Sequence, residues 1–465
     1  MRRGRRRALL GAGALALVAM VASLIYESRL APLATAYTAK TVCSGVFVSQ
    51  RDPRSLFDTD LVADNPAILR QVTVQVDRRA GEVRASLFGF ATRTAVYRDR
   101  GGCTVVHRSL PALATSPRIG VTDTRTAGDR LAMAGRRYFE RGGRRVQAVV
   151  HEAFQEPDPG RLRRTRAVVV VHRGEVIAEE YGEGFTREMP LLGWSMTKSV
   201  INVLVGILVR EGRVSLQEPV PIPAWQGAGD PRRGITWEHL LRMTSGLQFD
   251  ESYSAGTDVT QMLFGASDMA AYAAAKPLAA APGTRWSYSS GTTNILAYAI
   301  RRVVGEADYP ALPRRMLFAP LAMTSAVLET DASGTFVGSS FMYATARDWA
   351  RFGLLYLDDG VWAGRRLLPQ GWVAYTRTAT ASAPEGEYGA HVWLRLPRAS
   401  RCDERAALPA DAFHAVGHDG QILTIIPSRK LVLVRLGLSR GQCAWDHQTF
   451  VHAVLQALDD RESAG

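Results

Sequence analysis

Apolar positions change period twice along this chain. Ala167-Val168-Val169-Val170-Val171 is an almost continuous apolar run. After the turn Arg173-Gly174, Val176 to Tyr181 alternate, so the two segments read as a hairpin with one central strand. From about 195 to 360 the period lengthens. Val200, Val203, Leu204, Ile207 and Leu208 recur at helical spacing, and residues 344–357 repeat it. Strands return at Gln421 to Ile426 and Leu431 to Leu436, with His391 to Leu396 as an expected neighbour. A last amphipathic helix carries Phe450, Val451, Val454, Leu455 and Leu458. One antiparallel sheet built from distant segments, flanked by helices and carrying an inserted helical domain, is the expected α+β architecture. Ahead of it, Val46 to Val48, Val72 to Val76 and Ala85 to Phe90 read as strands of a small β-rich region. The turn-rich stretch Glu156 to Arg161 marks a boundary, and the expected segments are 1–36, 37–150 and 151–465.

Composition changes that picture mainly at the N-terminus. Five arginines among residues 2–7 precede an apolar run from Ala8 to Ile25. A basic flank before an apolar core reads as an export signal or a membrane anchor, with the remainder facing outward, periplasmic or cell-surface. Ala34-Thr35-Ala36 offers a cleavage site, and an uncleaved anchor is the preferred reading. The net charge of +13 is spread without aromatic interleaving or a nucleic-acid motif, so no nucleic-acid partner is expected. Cys43, Cys103, Cys402 and Cys443 suggest local disulfides in an oxidising compartment, although the sequence permits three pairings. Their wide spacing gives no metal motif, and neither metal nor cofactor is expected.

Candidate chemistry gathers in three stretches. Ser195 opens the apolar helix, and Lys198, three residues on, returns to the same face. The chain has only four lysines, Lys40, Lys198, Lys276 and Lys430, so one on the inward side of an apolar helix stands out as a base whose pKa desolvation would lower. Tyr288 and Ser290 sit in a glycine-containing turn before a second apolar helix. A cation nearby would favour the Tyr288 phenolate, making it a second candidate base. Gly417-His418-Asp419-Gly420-Gln421 directly precedes a strand whose backbone N–H groups could face an oxyanion.

In order and separation, Ser195-Met196-Thr197-Lys198, Tyr288-Ser289-Ser290 and His418-Asp419-Gly420 resemble the three motifs of the serine β-lactamase and penicillin-binding-protein superfamily. Thr236 to Leu247 resembles the segment before the second motif in the class C-like branch. The likeness covers roughly residues 150–460. It is nearest the esterase and amide-hydrolase branch, which includes aminohexanoate-dimer hydrolases and often has histidine in the third motif. The resemblance implies a β-lactamase/transpeptidase-like fold. It also implies a serine hydrolase that cleaves a small ester or amide through an acyl-enzyme on Ser195, with Lys198 and Tyr288 moving protons. The backbone N–H groups of Ser195 and Gln421 would hold the oxyanion, while Ser290, His418 and Gly420 line the cleft. Tyr253, in the loop Asp250-Glu251-Ser252-Tyr253, would face substrate. Two departures, His418 for lysine and Ser290 for asparagine, weigh against β-lactamase activity. The alternatives are a penicillin-binding D,D-peptidase or β-lactamase, and a non-catalytic anchored binding module of the same fold.

Overall fold

The computed structural model describes residues 30–63, 65–106, 131, 143–403 and 405–462. The expected anchor therefore lies largely outside the described residues, among which no helix is long and apolar enough to cross a membrane. A five-stranded antiparallel sheet runs in the order Phe413–Gly417, Gln421–Ile426, Leu431–Gly437, Thr165–His172, Glu175–Tyr181. The interior strand Thr165–His172 carries an unbroken apolar run, Ala167 to Val171, because both of its faces are covered. Val169 and Val171 pack into the main core with Trp349 and Phe352 of helix Ala346–Leu357. Val168 and Val170 pack with Val146 and Val150 of helix Gly143–Glu152 and with Val451 and Val454 of helix His447–Glu462. Between the two halves of the sheet, residues 197–357 supply most of the helical domain, including Thr197–Arg210 and Ser290–Val304.

Residues 30–47 form one continuous helix, which passes through the expected boundary at 36/37. It also absorbs Val46 and Phe47, read above as strand. Ala39, Val42, Cys43 and Val46 are all fully buried at spacings of three and four, and this helical period prevails over the β-propensity of a short valine-rich run. A four-stranded antiparallel sheet, Val72–Asp77, Glu82–Leu87, Phe90–Arg98 and Gly102–Val106, packs against this helix. Disulfides join Cys43 to Cys103 and Cys402 to Cys443, the local pairing. Helix Gly143–Glu152 crosses the expected boundary at 150 and belongs to the sheet it covers. The segment His391 to Leu396 is not a strand. It touches the sheet edge through a single bridge, Trp393 to His414, because His391 takes a left-handed conformation (φ 58°) that turns the chain inward.

Candidate active site

The nucleophile turn is shaped by what surrounds it. A side chain at Gly193 would meet Trp349 at 2.4 Å, and Trp194 follows in the left-handed region (φ 48°). The Thr197 hydroxyl donates to the Trp194 carbonyl at 2.6 Å and ties the turn to helix Thr197–Arg210. Ser195 is thereby aimed into a cleft of about 340 Å³ between the helical domain and the sheet edge. Lys198 lies behind it, 1% exposed. Its Nζ is 2.9 Å from Ser195 Oγ, 3.0 Å from Ser290 Oγ and 3.0 Å from the Ser339 carbonyl oxygen. Three acceptors match the three protons of an ammonium. Burial nevertheless pulls the Lys198 pKa down to about 8, with the Glu251 carboxylate opposing.

Glu251 is a member of this site that motif reading passed over. Its carboxylate accepts from the Ser290 backbone N–H at 2.7 Å and from the Ser290 hydroxyl at 2.5 Å. Lys198, Ser290 and Glu251 thus form one chain of hydrogen bonds. Burial raises the Glu251 pKa, while Lys198 and the Ser290 contacts hold it back. Ser339 and His391 were also missed. Asn294 Oδ1 accepts from the Ser339 N–H at 3.1 Å, and His391 Nδ1 lies 3.1 Å from the Lys198 carbonyl oxygen. Burial, with Lys198 adding, drops the His391 pKa to about 3, so this imidazole is a neutral brace.

Tyr288 is in the site, with its ring centroid 4.9 Å from Lys198 Nζ and its hydroxyl beside Ser195. Its expected phenolate character is corrected. Burial and the Glu251 carboxylate push its pKa up, which outweighs its polar neighbours Ser195 and Trp393, so the resting side chain is a phenol. Tyr388 and Trp393 pack its ring at 5.7 and 5.3 Å.

Gly417, His418, Asp419 and Gly420 line the cleft beside Ser195. Gln421 instead faces a separate small cavity, and its side chain is spent inside the fold, Nε2 donating to the Gly437 carbonyl at 2.7 Å and Oε1 accepting from the Gly437 N–H at 2.9 Å. The backbone that abuts the nucleophile turn is Gly417, where an added Cβ would sit 2.2 Å from the Gly193 carbonyl oxygen and 3.1 Å from Trp194 Cβ. Gly420 (φ 82°) completes the turn, its carbonyl accepting from buried Arg435 at 2.8 Å. His418 stands at the cleft mouth with its ring stacked on Tyr253, centroids 4.2 Å apart, and Trp194 meets both rings edge-on. Among the described residues no cluster of histidine, cysteine, aspartate and glutamate could hold a metal ion.

A nucleophile with a desolvated amine at hydrogen-bond distance and a phenol beside it in one cleft is equipped for acyl transfer. The model of the family described as Beta-lactamase matches residues 151–440. The chain belongs to the beta-lactamase family. Within it, the chain is 29% identical to the 6-aminohexanoate-dimer hydrolase of Paenarthrobacter ureafaciens, over 58% of this chain and 72% of that one. A Bacillus anthracis protein provisionally assigned as a 6-aminohexanoate-dimer hydrolase superposes with a TM-score of 0.53 at 24% identity, over 65% of this chain and 80% of its own. A family VIII carboxylesterase superposes with a TM-score of 0.53 at 15% identity, over 70% and 98%. These two likenesses establish the β-lactamase/transpeptidase-like fold. The family is of serine-hydrolase type, and its members similar to this chain include amide and ester hydrolases.

Proposed function

We propose that this chain is an exported serine hydrolase that cleaves a small ester or amide through an acyl-enzyme on Ser195. The observation that carries the reading is the 2.9 Å contact between Ser195 Oγ and a buried amine whose pKa is near 8. Neutral Lys198 takes the hydroxyl proton as Oγ attacks the substrate carbonyl carbon. The oxyanion is received by the backbone N–H groups of Ser195 and of the third motif, each worth roughly 3 kcal/mol of barrier. Tyr288, a phenol at rest, gives its proton to the leaving oxygen or nitrogen as the scissile bond breaks and is reprotonated from Lys198. Water then attacks the acyl carbon, the same groups pass its proton back to Ser195 Oγ, and the acid departs.

Substrate charge separates this reading from its rivals. β-Lactams and D,D-peptides carry a carboxylate, and among the described residues lining the cleft there is no lysine or arginine to meet one, while Glu251 and Asp419 are present. The lining of Trp393, Pro397, Val416 and Trp445 suits a neutral, apolar group. Export is supported by the basic flank and apolar run of residues 1–25 and by the two disulfides. The test is the intact mass of the protein after a fluorophosphonate probe, wild type beside Ser195→Ala, followed by a panel of esters, amides and lactams. One adduct on wild type alone is expected. A folded wild type that takes none would make the chain a binding module, and rapid lactam opening would favour the β-lactamase alternative.

A further inference from the structure

Only three large hydrophobic side chains are exposed among the described residues: Ile68 at 41%, Phe88 at 66% and Phe90 at 77%. All three lie at one end of the N-terminal sheet. Phe88 and Phe90 form the tip of the hairpin joining Glu82–Leu87 to Phe90–Arg98, and Leu87 pairs with Val72, so the turn Ala67–Gln71 that carries Ile68 ends beside them. The same end holds the start of helix 30–47, because the Thr35 hydroxyl donates to the Ala91 carbonyl at 2.6 Å. Leu30 follows the end of the apolar run, Ile25, by five residues, a reach of at most roughly 18 Å even when fully extended. Two unburied phenylalanines on one hairpin tip are costly in water, and Phe88 sits there in a left-handed conformation (φ 50°) that presents its ring outward instead of folding it back.

We propose that this end of the N-terminal region, with Phe88 and Phe90 at its tip and Ile68 beside them, is a membrane-facing surface that seats in the interface of the bilayer holding residues 8–25. Exposed Arg70 neighbours it and suits lipid phosphate. The inference rests on the anchored reading of the N-terminus. It gives residues 37–106 a purpose that the family match, which begins at 151, does not supply. The short tether and the aromatic tip together fix how the hydrolase stands on the surface, where a tether alone would leave it free to rotate.

The test uses the full chain in vesicles of phosphatidylcholine and phosphatidylglycerol containing nitroxide-labelled lipid. The four native cysteines are all paired, so Phe88→Cys offers a single thiol for an environment-sensitive NBD label; Gly364→Cys, in the turn of another hairpin, is the comparison. Expected are flotation of both proteins with the vesicles, a blue shift at position 88, and nitroxide quenching there several-fold stronger than at 364. Flotation without preferential quenching at 88 would overturn the surface while leaving the anchor in place. A blue shift without quenching would mean a protein partner and would overturn it too. Failure to float would remove the anchored reading and the proposal with it.

Discussion

Lys198 at pKa about 8 is a base only when unprotonated, so acylation should follow its neutral fraction. We predict that kcat/KM on an ester rises with pH and levels off above about 8. Because Glu251 raises the lysine pKa, Glu251→Gln should move that limb to lower pH; a limb that stays in place would detach Glu251 from the base. Lys198→Ala should lose roughly 10²- to 10⁴-fold in kcat, measured by stopped-flow acylation. Ser195, Lys198, Tyr288 and Ser290 were legible because each pair is fixed by local helix or turn geometry. Glu251 was not, since it reaches Ser290 from a loop 39 residues away, and no local period encodes that approach. The Tyr288 phenolate was misjudged for a related reason. A neighbouring cation can be inferred from motifs, whereas the opposing carboxylate and the aromatic wall exist only after folding.

Close backbone approach at the level of elements sets where the edge strand meets the nucleophile turn, and with it the place of the proposed oxyanion donors. The edge strand Phe413–Gly417 ends against the nucleophile turn, and the 2.2 Å from a Gly417 Cβ to the Gly193 carbonyl leaves no room for a side chain. Gly417→Ala must push strand and turn apart. A displacement near 1 Å at the reacting centre costs on the order of 10²-fold, so fluorophosphonate labelling should slow by that order with circular dichroism unchanged. Labelling at the wild-type rate would show that the strand end does not position the donors. Gln421 sends its side chain into a different cavity from the cleft, and a sequence cannot reveal this because the turn 418–420 stands between the cleft and the next strand. The two apolar hairpins and their meeting in one sheet were readable, whereas the edge strand Phe413–Gly417 and the pairing of Leu431–Gly437 with Thr165–His172 were not. The segment His391 to Leu396 was not, because the left-handed His391 that diverts it toward Lys198 has no signature in the hydrophobic pattern.

At the scale of the whole molecule, the N-terminal region is built into the hydrolase. Arg440 Nη2 donates to the Asp60 carbonyl at 2.6 Å, and its Nε lies 3.7 Å from Asp419, next to His418 in the cleft wall. Asp60 also takes Arg166 of strand Thr165–His172 at 2.6 Å, and the Arg166 and Arg51 guanidinium groups hold its pKa well below the usual range despite burial. Deepest of all, Lys40 of helix 30–47 is ion-paired with fully buried Glu329, which also accepts from the Ser44 hydroxyl at 2.9 Å and the Cys103 N–H at 2.7 Å. Burial pulls the Lys40 pKa down even against this partner. Removing the carboxylate alone strands a buried ammonium, so Glu329→Gln should cost about 3–5 kcal/mol in urea unfolding with disulfides intact. Lys40→Met/Glu329→Gln leaves no such charge, and the glutamine still accepts from Ser44 and Cys103. The double variant should therefore be more stable than Glu329→Gln alone, a coupling that strictly additive costs would refute. Because Ser49, two residues beyond the end of helix 30–47, donates its hydroxyl at 2.6 Å to the Pro190 carbonyl just before the nucleophile turn, Glu329→Gln should slow Ser195 labelling and the double variant should recover part of the rate.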